Sequence, residues 1–226
     1  MSLRGKVAVE LVTIAVLTTI FLLAFPKRSP VVDVGLAGFA LLCLALSASY
    51  TKKVIWAASP LPVAESGLSV SRFKRCMTVV LWVTVPPALL FLLVGGIVTY
   101  KNGGWPAVAG RVLNWRILAA FSCYLPWALM QQTLLQFYLF GRLLVLFPRR
   151  FPLVPMMITG TCFGLVHLPD LWTALVTVAS GVVWSFIYYR YRLLLPLALS
   201  HAALGSAFYY GIFGHDLAAE WRTLLP

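Results

Sequence analysis

The chain has 226 residues, 61% of them apolar and 11% charged, with a mean hydropathy of +0.91. That composition excludes an ordinary soluble domain and implies an all-α, polytopic membrane bundle. The net charge of +12 comes from basic residues placed between apolar runs, which points to membrane lipid headgroups and leaves no nucleic acid partner expected.

Apolar runs predict about seven transmembrane helices, at 8–25, 33–50, 76–99, 113–146, 152–167, 171–189 and 193–211. The first starts beside Arg4 and Lys6 and stops at Pro26-Lys27-Arg28. It has no small-x-small cleavage site, so an uncleaved span is expected rather than a signal peptide. Between the second and third spans lies the one sizeable loop, Thr51 to Arg75, with turn material at Ser59-Pro-Leu-Pro62 and Glu65-Ser-Gly67. The third contains Pro86-Pro87 and Gly95-Gly96 and is expected to kink or be interrupted. The fourth exceeds a bilayer's thickness, so it must tilt or project.

With the N-terminus inside, cytoplasmic segments collect twelve Lys and Arg, Arg142 among them, against six on the other side. This bias predicts a cytoplasmic N-terminus, in what reads as a bacterial inner membrane. Cys43, Cys76, Cys123 and Cys162 lie singly in or near spans, without metal-ligand spacing, and read as small core residues. The expected organisation is N-terminal spans and loop over 1–110, a core carrying a polar site over 111–211, and a short tail over 212–226, where His215 and Asp216 are expected in solvent.

Polar side chains interrupt three of the spans. Gln131, Gln132 and Gln136 lie in the fourth, His167 closes the fifth, and His201 sits in the seventh. A buried amide or imidazole costs several kcal/mol unless it finds a partner, so each marks a candidate site. Gln132 and Gln136 share a helical face, with Gln131 about 100° round. Gly160 and Gly164, and Ala202 and Ser206, are small-xxx-small pairs that permit close helix approach. At about 1.5 Å per residue, Gln131 and His167 lie roughly 22 Å, and His201 about 12 Å, from span ends on one side. Tilt absorbs that spread, and convergence on one polar pocket is allowed. The plainer alternative is interhelical glue, worth about 0.6–2 kcal/mol per pairing.

Three blocks resemble the CAAX-protease and bacteriocin-processing (CPBP or Abi) family of type II CAAX prenyl endopeptidases. Phe163-Gly-Leu-Val-His167 is similar to its Phe-x-x-x-His. Gly181-Val-Val-Trp-Ser-Phe-Ile-Tyr-Tyr-Arg190 with Leu193-Leu-Leu-Pro196 is similar to its sixth core helix and turn. Ser200-His201-Ala-Ala-Leu-Gly205 stands where the family has His-x-x-x-Asn. The resemblance implies an intramembrane endopeptidase in which His167, His201, Gln131 and Gln132 occupy catalytic positions. Gln136, Phe163 and Gly205 would line the substrate.

The chain departs from the pattern. The family's Glu-Glu-x-x-x-Arg is here Gln131-Gln132-Thr-Leu-Leu-Gln136, and its asparagine is Gly205. An amide can orient a water but cannot deprotonate it. The loss of the carboxylates removes the need for the arginine, so the site reads as a neutral network of three amides bonding one another, with His167 or His201 as base. No cofactor is expected. Zinc on His167, His201 and Asp170 is a weaker alternative, because Pro169 favours a turn outside the span.

Water-mediated hydrolysis of a peptide or membrane-protein substrate is thus the leading expectation. A catalytically inactive relative, acting as a membrane binding or immunity protein, is the alternative. A small transporter or channel has against it the missing repeat symmetry and the lack of an acidic residue in the later spans.

Overall fold

The computed structural model describes residues 1–24, 35, 38, 42, 45, 69–112, 114–147 and 150–214. Most of the second expected span, most of the long loop, Cys43, His215 and Asp216 lie outside the described residues. Among the described residues every regular element is helical. In chain order these are α1 (Leu3–Ala24), α2 (Val70–Arg111), α3 (Arg116–Gln132), a π-helical segment (Thr133–Phe140), α4 (Gly141–Leu146), α5 (Leu153–Leu165), α6 (Leu171–Tyr191), α7 (Leu194–Phe208) and a second π-helical segment (Tyr209–Phe213).

Among the described residues, two helices, α2 and α6, are long and apolar enough to cross a membrane, and α5 is apolar but shorter. Leu81, Trp82, Leu89, Leu90 and Leu93 of α2 are all exposed. Such a surface suits hydrocarbon rather than water.

The expected break at Pro86-Pro87 or Gly95-Gly96 is not where α2 is interrupted. Both prolines lie inside the helix, and the backbone leaves helical dihedrals at Gly104 (φ 65, ψ −166). Proline's fixed φ is compatible with a helix, and membrane helices tolerate the missing donor. Gly104 adopts a conformation that L side chains avoid. Gly95 serves close approach instead: a Cβ there would collide with the backbone of Gly211.

The contacts divide the chain into two compact units. The first comprises 1–67 and 133–192. In it α1 packs on α4, with Val7 against Val145. Glu10 of α1 accepts from Arg142 Nε at 2.9 Å and from the Tyr138 hydroxyl, and lies 2.8 Å from Arg142 Nη2. The charge count places Arg142 in a cytoplasmic segment, yet the structure buries it completely. The carboxylate brought by α1 makes that burial tolerable, and nothing local in the sequence announces it.

Helices α5 and α6 meet through glycine. A Cβ at Gly160 would stand 2.7 Å from the Val178 carbonyl oxygen, and one at Gly164 equally close to that of Ala174. The spacing implied this approach, and Gly181 completes it by facing the Gly160 Cα. Asp170 starts α6: its Oδ1 accepts from the backbone N–H groups of Trp172 and Thr173, and its Oδ2 from the Thr173 hydroxyl. These bonds satisfy donors a helix start leaves open. They hold the Asp170 carboxyl below its ordinary value, the Thr173 hydroxyl contributing most.

The second unit comprises 68–132 and 193–226. Here α7 packs against both α2 and α3. Thr84 and Ser200 join α2 to α7 by a buried hydroxyl pair at 2.6 Å. Arg111 donates to Thr99 Oγ1 at 3.0 Å and to the carbonyl oxygens of Tyr210 and Gly211 at 3.3 and 3.4 Å. A cation thus supplies donors where the last helical turn has none.

Candidate functional site

Four buried residues of α3 recur at every fourth position: Ala120, Tyr124, Ala128 and Gln132. That spacing is one face of an α-helix. The face lies against α7, where Ala202 joins Tyr124 and Ala128 in one apolar cluster. Alanine at two of these positions, and at Ala202 across the seam, brings the helices close. Tyr124 and Gln132 then carry polar atoms into a seam that is otherwise apolar.

His201 of α7 receives both. Its Nδ1 stands 3.4 Å from the Gln132 amide nitrogen, and its Nε2 stands 3.4 Å from the Tyr124 hydroxyl. The tyrosine ring meets the imidazole edge-on, 5.6 Å between centroids at 87°. His201 is 4% exposed. Both contacts lie at the long end of the hydrogen-bond range. The imidazole thus lies between an amide and a phenol.

Gly205, one turn beyond His201, explains why the tyrosine fits. A Cβ at 205 would come within 2.7 Å of Tyr124 Cε1. The absent side chain is the seat of the ring. Tyr124 was not singled out in the sequence. The signal that finds it is its place on the Ala120–Tyr124–Ala128–Gln132 stripe, two turns before the glutamine.

Gln131, the last residue but one of α3, is half-buried, and its Oε1 has no hydrogen-bond partner among the described residues. The Oε1 of fully buried Gln132 has none either. Two adjacent residues thus present carbonyl oxygens with spare accepting capacity.

Gln136, Phe163 and His167 belong to the first unit. Gln136 lies in the π-helical segment, fully buried, and neither end of its amide has a partner among the described residues. The expected bonding among three amides therefore does not include Gln136. The chain changes from i−4 to i−5 pairing at Thr133, so the face shared by Gln132 and Gln136 in a regular helix does not carry through. His167 follows the end of α5 in a turn. Its N–H donates to the Gly164 carbonyl and its own carbonyl accepts from the Asp170 N–H. The buried Phe163 ring stands edge-on to it at 5.3 Å and contacts Trp184 at 5.8 Å.

The zinc alternative finds no support in this donor set. Asp170 uses both carboxylate oxygens to begin α6. Among the described residues no three His, Cys, Asp or Glu are grouped to hold a metal. The cysteines differ among themselves: Cys76 is buried, Cys162 half-buried, and Cys123 exposed rather than a core residue.

Residues 113–206 match a family model described as type II CAAX prenyl endopeptidase Rce1-like. The matched segment, under half of the chain, is similar to that family. Comparison with curated proteins and with solved structures gave no match. The Rce1-like segment runs from the start of α3 almost to the end of α7, so Gln131, Gln132, Gln136, His167, His201 and Gly205 all fall within it. The Rce1-like match and the two long apolar helices together point to a membrane protein.

Proposed function

We propose that the Rce1-like segment hydrolyses a peptide bond at a membrane-embedded polar site, with His201 as the acid–base group. The observation that carries this reading is the seating of His201 between Gln132 and Tyr124, with the Gln132 carbonyl oxygen left without a hydrogen-bond partner among the described residues. A neutral imidazole keeps one nitrogen able to accept a proton, and a 3.4 Å contact is easily exchanged for one to water.

The steps then balance without a carboxylate. The glutamine oxygens accept hydrogen bonds from a water and orient it. His201 takes one proton as the water oxygen bonds to the scissile carbonyl carbon. The C–N bond breaks, and the imidazolium returns that proton to the leaving amine. His167 is kept at the family's Phe-x-x-x-His position, and its part in the reaction rests on that pattern. The substrate class is a membrane segment or a lipid-adjacent C-terminus of another protein. About seven spans and a cytoplasmic N-terminus, in a bacterial inner membrane, complete the reading.

Co-expression with candidate substrates tests it. Wild type should process one of them, and His201→Ala and His167→Ala should each abolish processing while the protein still inserts and folds. Processing unchanged in both variants ends the proposal.

A further inference from the structure

We infer that Tyr124 is a positioning residue for His201, and that glycine at 205 is what seats it there. The inference rests on the hydrolase reading only for what His201 does with its proton. The placement of the ring stands on geometry alone.

A neutral imidazole carries one N–H and one lone pair, and its neighbours decide which nitrogen has which. As placed, the Gln132 amide nitrogen donates to His201 Nδ1. The proton then lies on Nε2, which donates to the Tyr124 oxygen. The Tyr124 O–H remains as the terminal donor of the chain, its strength raised by the bond its oxygen accepts. With Gln132 turned end for end, Nδ1–H would donate to the amide oxygen and Tyr124 would donate to Nε2. In both arrangements the phenol holds Nε2, and removing it takes away the partner that Nε2 has across the seam.

The ring owes its position to position 205. Any side chain there meets Cε1 of Tyr124 at 2.7 Å and the Cδ1 and Cζ atoms at 3.3 and 3.4 Å. The tyrosine cannot recede into the seam, because Ala128 and Ala202 are already fully buried against it. A substituent at 205 therefore swings the hydroxyl away from His201 without altering a polar atom. Two chemically unrelated changes, loss of the hydroxyl and gain of a methyl group, should give one effect on the imidazole.

The test is 15N magnetic resonance of the histidine rings in the whole chain, in lipid nanodiscs, with His201 assigned by its loss in His201→Gln. Wild type should show separate protonated and unprotonated ring nitrogens. In Tyr124→Phe, which keeps the packed ring, these two signals should move toward each other. In Gly205→Ala they should do the same with the hydroxyl present. Wild-type ring signals in Tyr124→Phe overturn the inference, and wild-type signals in Gly205→Ala overturn the seating. On a processed substrate, Tyr124→Phe should lower turnover about tenfold, the worth of one hydrogen bond, with KM unchanged; full turnover overturns the positioning role. A wild type inert toward every peptide removes the hydrolase reading, and the ring signals still decide Tyr124.

Discussion

Glu10 and Arg142 close a contact of 2.8 Å between residues 132 positions apart in the chain. The guanidinium also lies 3.4 Å over the Tyr138 ring, so charge, hydrogen bond and ring all act on one buried cation. Glu10 is what fixes α1 to α4. Truncation of one partner of a buried pair leaves the other uncompensated, at a cost of roughly 3–5 kcal/mol. Glu10 is 31% exposed, which places the expected loss toward the lower figure. Glu10→Ala should therefore lower the melting temperature by roughly 6–12 °C. A melt within 2 °C of wild type would show that the pair is not holding the helix.

Gln136 should behave in the opposite way. Its amide is buried with both ends unsatisfied among the described residues, a penalty of about 1–3 kcal/mol per group. Gln136→Met keeps the length and volume and removes the polar atoms. Stability should rise by roughly 1–3 kcal/mol while substrate processing falls. A destabilised Gln136→Met would show that the amide is structural, and unchanged processing would remove it from the substrate-contacting set.

At the α5–α6 contact, Gly164→Ala inserts a methyl group against a backbone carbonyl, which cannot rotate aside as a side chain can. The helices must separate, at about 1–3 kcal/mol. Gly96, with open space around the same position, is the control: Gly96→Ala should be neutral or slightly stabilising, since alanine favours helix. Equal melting curves for the two variants would contradict the packing.

Asp170 gives the pH dependence a sign. Its folded-state value is depressed, so its contribution is fully present above the unfolded value, near pH 4, and fades as pH falls through the folded one. Asp170→Ala should melt below wild type at pH 7, and the gap should narrow below about pH 4. A gap that shows no narrowing at any pH below about 4 would mean that charge plays no part in starting α6.

Much of this was legible in the sequence because it depends on local spacing. Gly160 and Gly164 announce a close helix neighbour at four residues apart, and the structure puts α6 there. His201 and Gly205 are likewise visible as a buried imidazole one turn from a missing side chain. What escaped is non-local. Arg142 looks like any basic residue after a span until Glu10 arrives from the far end of the chain. Pro86-Pro87 reads as a break, but both prolines keep helical dihedrals and the helix runs through them. Gln136 shares a face with Gln132 only while the helix keeps its period, and the π-helical segment changes that period at the next residue. The polar environment of His201 was foreseen through Gln132. Tyr124 was not, because a tyrosine in an apolar run resembles any other aromatic until its stripe of alanines is noticed.

The tyrosine ring occupying the space above Gly205 imposes an order on change. An asparagine at 205 would complete the family's His-x-x-x-Asn, yet introduced alone it would strike the ring. Position 124 has to shrink first, and only then does 205 become free to grow. A designer wishing to install the family's pattern would therefore take the two steps in that sequence, since the reverse route sets the new side chain and the ring in the same space.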